Sequence, residues 1–306
     1  MPMRAVVFAY HDVGVRCLRM LLDHDVEVAL VVTHEDNPQE TIWFESVATL
    51  CAQRGFVCIT PADPSSPEVL ERLKIIEPDL LLSFYYRHML PPSLLETARV
   101  GAFNMHGSLL PKYRGRAPVN WAVLHGETVT GATLHEMVAK PDAGAIVAQT
   151  PVPILPDDTA QEVFGKVVTA AEQTLAKALP ALLTGQIPRQ VNDLSQGSYF
   201  GGRTAADGQI DWTQPAQTVY NLVRAVAPPY PGAWTMLGGH RLVVARARLS
   251  ACEYKNFAPG LTSAGDKILG VCGDGGALDI LELHLDGMPV TAEALQAIRN
   301  TASPAP

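Results

Sequence analysis

Asn104 and His106 stand two residues apart where the apolar run from Gly101 gives way to the polar stretch H-G-S-L-L-P-K-Y-R-G-R-A-P, His106 to Pro118. On an extended backbone, that spacing turns both side chains to one face. An amide N–H can hold the oxyanion that forms when an amine attacks a carbonyl, a contact worth about 3 kcal/mol. An imidazole can move the proton the amine loses, worth roughly a hundredfold in rate. Together they suit acyl transfer. A carboxylate that favours the charged imidazole is available in Asp142, within the turn K-P-D-A-G from Lys140 to Gly144. Taken singly, the strand-end pair and the turn aspartate also read as structural residues. His125 and His135 read as helix or strand surface. No H-E-x-x-H occurs, His106 has no His or Cys at ligand spacing, and no metal is expected.

The elements that must position these groups alternate short apolar runs with helical patterns, which predicts an α/β fold. Strands are expected at Ala5 to Tyr10, Val26 to Thr33, Phe56 to Thr60, Leu80 to Phe84, Gly101 to Asn104, Ala132 to Val138 and Ala145 to Val152. Helices are expected at Val13 to Leu22, Ser46 to Arg54, Ser66 to Glu77, Val119 to His125 and Ala160 to Leu183, capped by Ser65 or Ser66 and by Asp158 or Thr159 where those types precede the pattern. The result is a mostly parallel sheet with helices on both faces over residues 1–190. Periodicity fades between Gln190 and Asp207, so residues 191–206 read as a linker. Residues 207–300 follow as a second domain with a helix over Ala216 to Val226 and short strands between Gly-rich turns, the pattern of a small β-barrel. Thr301 to Pro306 resembles a linker end.

Composition narrows the function. The 306 residues are 47% hydrophobic and 18% charged, as in a globular chain. A net charge of −8 gives no general attraction to nucleic acid or an anionic membrane. No stretch of about 18 apolar residues is present, and neither a membrane span nor a signal peptide is expected. The five cysteines form no C-x-x-C pair, which leaves buried reduced thiols and a cytoplasmic location as the expectation. The first turn, F-A-Y-H-D-V-G from Phe8 to Gly14, has a single glycine where a dinucleotide fold carries three, so ordinary NAD binding is disfavoured. Tyr10, His11 and Asp12 there read equally as a packing turn or as substrate contacts.

The segment F-N-M-H-G-S-L-L-P-K-Y-R-G-R-A-P-V-N-W with the later K-P-D-A-G resembles the signature of the folate-dependent formyltransferases, and the resemblance spans nearly the whole chain. It implies a Rossmann-like catalytic half, an OB-like C-terminal barrel and N10-formyltetrahydrofolate as co-substrate. It assigns catalysis to Asn104, His106 and Asp142. A folate pocket is implied at His88, Met89 and Leu90 and at Val138, Ala139, Lys140 and Pro141, with Arg116 nearby. Lys112, Arg114 and Arg116 are candidates for a diphosphate or folate carboxylate, or else solvate their loop.

Within that family, F-A-Y-H-D-V-G, T-H-E-D-N-P and S-F-Y-Y-R-H-M-L are similar to the ArnA-type enzymes that formylate UDP-4-amino-4-deoxy-L-arabinose in lipid A modification and polymyxin resistance. Methionyl-tRNA formyltransferases are the alternative. They hold RNA with basic segments, but Thr33 to Ser46 contains four acidic residues and no Lys or Arg, and residues 207 to 306 carry seven basic against nine acidic side chains. The expected partners are therefore a UDP-amino sugar and formyl-folate, with no nucleic acid. A folate- or nucleotide-binding sensor is the non-enzymatic alternative.

Overall fold

The computed structural model describes residues 2–24 and 26–302. Residues 303–306 of the expected linker-like tail lie outside these. The chain forms two compact units. The first takes the chain up to Pro118 with residues 129–153 and 164–201, and the second takes residues 119–128, 154–163 and the chain from Gly202 onward. This interleaving differs from the expected succession of residues 1–190, a linker over 191–206 and a second domain over 207–300. The physical reason is a set of hydrogen bonds that sequence periodicity does not show: the Asn120 amide donates to the Ala225 carbonyl (2.8 Å), the Tyr220 hydroxyl to Asp157 (2.7 Å) and the Arg224 guanidinium to the Asp158 carbonyl (2.8 Å).

The first unit runs β1 (Met3–Ala9), α1 (His11–Leu22), β2 (Val26–Val32), α2 (Val47–Arg54), β3 (Cys58–Ile59), α3 (Pro67–Ile76), β4 (Leu80–Phe84), α4 (Pro92–Leu95), β5 (Gly101–His106), β6 (Arg114–Gly115), α5 (Pro118–Leu124), β7 (Val129–Glu136), β8 (Ile146–Pro153), α6 (Ala160–Thr184) and β9 (Tyr199–Phe200), with α5 and α6 each crossing into the second unit. Its seven-stranded sheet has the order β3-β2-β1-β4-β5-β7-β8. The first five strands are parallel, and β7 and β8 turn antiparallel. Central β1 and β4 are largely apolar, with Ser83 of β4 buried among apolar neighbours, because both their faces are covered. Val6, Phe8, Leu30, Val32 and Leu81 pack with Val69 and Leu73 of α3 and with Leu94 of α4. Ala9 faces α1, where a Cβ on Gly14 would come within 3.1 Å of the Ala9 Cβ.

The helix starts follow side-chain capping. Ser46 Oγ accepts from Thr49 N–H and Ser66 Oγ from Val69 N–H, while Thr159 and Glu162 cap reciprocally at the start of α6. From β1 the chain moves outward to β3 and then returns to β4 on the other side. That reversal opens a crevice at the carboxyl ends of β1 and β4, and β5 ends beside it.

The second unit contains α7 (Ala216–Val226), β10 (Ala233–Leu237), β11 (His240–Leu249), β12 (Gly260–Ala264), β13 (Lys267–Val271), β14 (Ala277–Leu285), β15 (Met288–Pro289) and α8 (Ala292–Ala302). The antiparallel order is β10-β11-β14-β13-β12 with β15 on β14. Edge strands β10 and β12 do not pair with each other, so this sheet is a half-barrel. Sequence patterning leaves α4, β6, β9, β10, β12 and β15 unassigned because each has at most five residues, and it also misses α8, whose last residues Thr301 and Ala302 fall in the expected linker end. The five cysteines are free, with Cys252 exposed and Cys58 half-buried, so burial holds only for Cys17, Cys51 and Cys272.

Leu81 is fully buried at the centre of the first core. Leu81→Ala is expected to lower unfolding free energy by about 2–5 kcal/mol in urea titrations, as large-to-small core changes do. A loss below about 1 kcal/mol would contradict this packing.

Candidate active site

The register of β5 on β7 places Asn104 directly opposite His135. Their side chains meet, with Asn104 Nδ2 3.2 Å from His135 Nε2. His106 is two residues further on and 6% exposed. Asp142 lies in the turn joining β7 to β8 with a φ of 50°, in the left-handed region. Three contacts hold it there. Gly115 N–H donates to Asp142 Oδ2 (2.8 Å), and the Asn192 amide donates to the carbonyls of Asp142 and Gly144 (3.0 Å each). Gly144 is required because a Cβ there would overlap the Glu136 carbonyl oxygen. Asp142 Oδ1 then sits 3.6 Å from His106 Nδ1 and 3.4 Å from His135 Nε2.

Hydrogen-bond partners assign the ring protons. His106 Nε2 is 2.8 Å from the Tyr113 carbonyl, which only accepts, so Nε2 carries the hydrogen and Nδ1 is the open acceptor. His135 Nδ1 is likewise 2.8 Å from the Glu136 carbonyl, which leaves Nε2 to accept an N–H from Asn104. In the neutral state, Oδ1 of Asp142 thus faces two imidazole nitrogens that carry no proton. The second N–H of the Asn104 amide is left over to meet an oxyanion.

Burial alone would raise the Asp142 carboxyl. The positive charge of a protonated His106, the contact with His135 and the Gly115 N–H outweigh burial and hold the carboxyl well below the usual carboxylate range. Burial pushes His106 below its ordinary value, against opposition from Asp142 and the Tyr113 carbonyl. At neutral pH the carboxylate is ionised and the His106 imidazole neutral. An added proton settles on the ring, next to a fixed negative charge. Among the described residues, no group of three or more His, Cys, Asp or Glu side chains could hold a metal ion.

A cavity of about 390 Å³ opens onto these groups, within the range of ligand pockets. Asn104, His106 and Asp142 line it together with His88, Met89, Leu90, Arg116, Val138 and Pro141. Ala139 and Lys140 do not. Lys112 is exposed and Arg114 buried, and neither lines the wall. Tyr10, His11 and Asp12 also lie outside it: the Tyr10 hydroxyl donates to Asp36 (2.8 Å), the His11 ring stacks on Phe44 (3.8 Å) and Asp12 accepts from Glu45 N–H (2.8 Å). They fasten residues 33–46 to the turn after β1. Burial lowers His11 to about 3, and burial with the nearby His88 and Arg87 lowers His34 to about 4.

His135 is the residue that sequence patterning misplaced: it is 2% exposed and lines the cavity, not the surface. Only the pairing of β7 with β5 could have exposed its role. Asn192, also undetected, carries no local motif, and Tyr85 lies within S-F-Y-Y-R-H-M-L with nothing in that pattern to single it out.

Comparison with known proteins places the chain. Residues 8–179 match the formyl transferase family, and residues 203–298 match the C-terminal domain of formyl transferases. The chain belongs to the formyl transferase family. Its fold is similar to that of an N-formyltransferase from Helicobacter canadensis in complex with folinic acid and dTDP-3-aminofucose, at 18% identity and a TM-score of 0.73 over 92% of this chain and 99% of that one. It is also similar to WlaRD, a sugar 3N-formyl transferase whose structure was determined with dTDP and 5-N-formyl-THF (16% identity, TM-score 0.71, 94% and 99% covered). HypX from Aquifex aeolicus, in complex with tetrahydrofolic acid, matches at 17% identity and a TM-score of 0.64 over 98% of this formyl transferase chain and 48% of its own.

Because the folded chain keeps His11, His34 and His106 neutral where the unfolded chain protonates them near pH 6.5, the unfolded state binds more protons as pH falls, and stability drops with it. The urea midpoint is expected to decrease from pH 7 to pH 5. An increase would contradict this electrostatic description.

Proposed function

We propose that the chain transfers a formyl group from N10-formyltetrahydrofolate to the 4-amine of a nucleotide-linked amino sugar, UDP-4-amino-4-deoxy-L-arabinose. The observation that carries this reading is the proton-accepting cluster of His106, Asp142 and His135 beside a spare Asn104 N–H. The uncharged amine attacks the formyl carbon and forms the new C–N bond. Asn104 holds the resulting oxyanion. The amine proton passes to His106 Nδ1, where it faces Asp142 Oδ1. When the bond to the folate N10 breaks, the proton held by His106 moves onto that nitrogen and releases tetrahydrofolate, which returns His106 to its neutral form. Asn104, His106 and Asp142 are thus the catalytic residues, with His135 orienting the Asn104 amide.

The cavity wall fits the co-substrate. Met89 (59% exposed) and Val138 (43% exposed) offer apolar surface to flat rings, with His88, Leu90 and Pro141 beside them. Arg116 supplies charge for a carboxylate, and exposed Lys112 for a diphosphate. The folate and sugar-nucleotide ligands named for the similar N-formyltransferases support the same pairing of substrates. The motif resemblance supports the finer choice of UDP-4-amino-4-deoxy-L-arabinose, and with it a cytoplasmic step of lipid A modification linked to polymyxin resistance. Among the described residues no helix is long and apolar enough to cross a membrane.

Incubation with formyl-folate and UDP-4-amino-4-deoxy-L-arabinose is expected to add the mass of one carbonyl group to the sugar amine. Charged initiator tRNA should remain unmodified. Formylation of that tRNA, with binding that weakens steeply as salt rises, would favour the alternative. Asn104→Ala, His106→Ala and Asp142→Ala should each lower kcat by about 10²–10⁴. Near-normal turnover in any of them removes that residue from the scheme.

A further inference from the structure

Tyr85 breaks a local rule at the site. It follows β4 with a φ of 58°, in the left-handed region that an aromatic residue rarely adopts. Its hydroxyl is buried, and a Cβ on residue 107 would overlap the hydroxyl oxygen, so the glycine after His106 makes room for the phenol in this position. Behind it, the Phe164 ring backs the Tyr85 ring at 5.7 Å. The phenol is therefore wedged at its tip and supported along its side, and it lines the cavity beside Asn104, His106 and Gly107. A strained backbone, a glycine that makes room for the phenol and a catalytic pair coincide at one place. Packing alone does not call for that combination, because glycine at residue 85 would relieve the strain.

We propose that the Tyr85 ring is the platform on which the acceptor's sugar ring packs, and that Tyr85 is a specificity-determining residue for the amino sugar. This deepens, and rests on, the formyl-transfer reading. The acceptor amine has to come within hydrogen-bond reach of His106 to give up its proton. The sugar ring it is attached to must then lie against the wall that adjoins His106. Gly107 offers no side chain there, and Tyr85 covers it. The C–H face of a pyranose suits an aromatic plane, and a ring fixed in advance loses little freedom on binding. The aliphatic wall at Met89, Leu90 and Val138 is left for the folate.

Calorimetry with UDP-4-amino-4-deoxy-L-arabinose and, separately, 5-formyltetrahydrofolate tests this on Tyr85→Leu, Tyr85→Gly and Tyr85→Phe. The glycine variant suits the left-handed backbone, which guards against simple failure to fold. The Leu and Gly variants are expected to bind the sugar nucleotide about tenfold more weakly and to raise its KM, with kcat at saturation near wild type. Tyr85→Phe keeps the ring and should bind within about twofold of wild type, and folate affinity should stay within about twofold throughout. If the wild type binds the sugar nucleotide and the Leu and Gly variants bind it equally well, or if folate affinity falls in parallel, this assignment alone is overturned. If the wild type neither binds nor formylates a nucleotide-linked amino sugar, the formyl-transfer reading fails and the assignment falls with it.

Discussion

The cluster at the end of β5 is organised around a missing proton. Asp142 Oδ1 faces His106 Nδ1 at 3.6 Å and His135 Nε2 at 3.4 Å, and the outer nitrogen of each ring already donates to a backbone carbonyl. Two lone pairs beside a buried carboxylate repel until one proton is supplied. Such an arrangement persists only when the surrounding structure overdetermines it. Here Gly115 N–H, Asn192 and the tight Gly144 turn hold the carboxylate, while Tyr113, itself left-handed with a φ of 57°, presents the carbonyl that orients His106.

The change of sheet direction makes the cluster possible. Parallel strands alone would put Asn104 and His106 at a strand end with only loops ahead of them. Turning β7 antiparallel to β5 sets His135 across from Asn104, and the β7–β8 turn then returns Asp142 to the same place. On the other side of the crevice, Tyr10, His34, Phe44 and Tyr86 pack edge to face or stacked, and Arg87 lies over the Tyr10 ring while pairing with Glu40. That aromatic brace ties residues 33–46 to the turns after β1 and β4. It also explains why this segment holds acidic residues without any Lys or Arg: Asp36, Glu40 and Glu45 are each bound to a partner within the unit.

Much of this was legible in the sequence, for identifiable reasons. Buried strands such as Leu80–Phe84 and amphipathic helices such as Ala216–Val226 have the expected bounds because burial imposes a largely apolar run on the one and a helical stripe on the other. Asn104 and His106 could be paired because strand geometry makes two-residue spacing a statement about direction. Asp142 could be attached only through the family resemblance of the K-P-D-A-G motif, since nothing local in Pro-Asp-Ala-Gly says where the turn points. His135 was not legible at all, because its role comes from strand register. The contributions of residues 119–128 and 154–163 to the second unit were hidden too, since they depend on hydrogen bonds between positions far apart in the chain.

The proton vacancy beside Asp142 is tested most directly by following the His106 imidazole C–H resonance against pH in the wild-type protein and in Asp142→Asn. The account predicts that His106 titrates below the ordinary histidine value in the wild type. It should titrate lower still in the variant, where the carboxylate that favours the charged ring is gone while the burial remains. A His106 titration that is unchanged or raised in Asp142→Asn would contradict it.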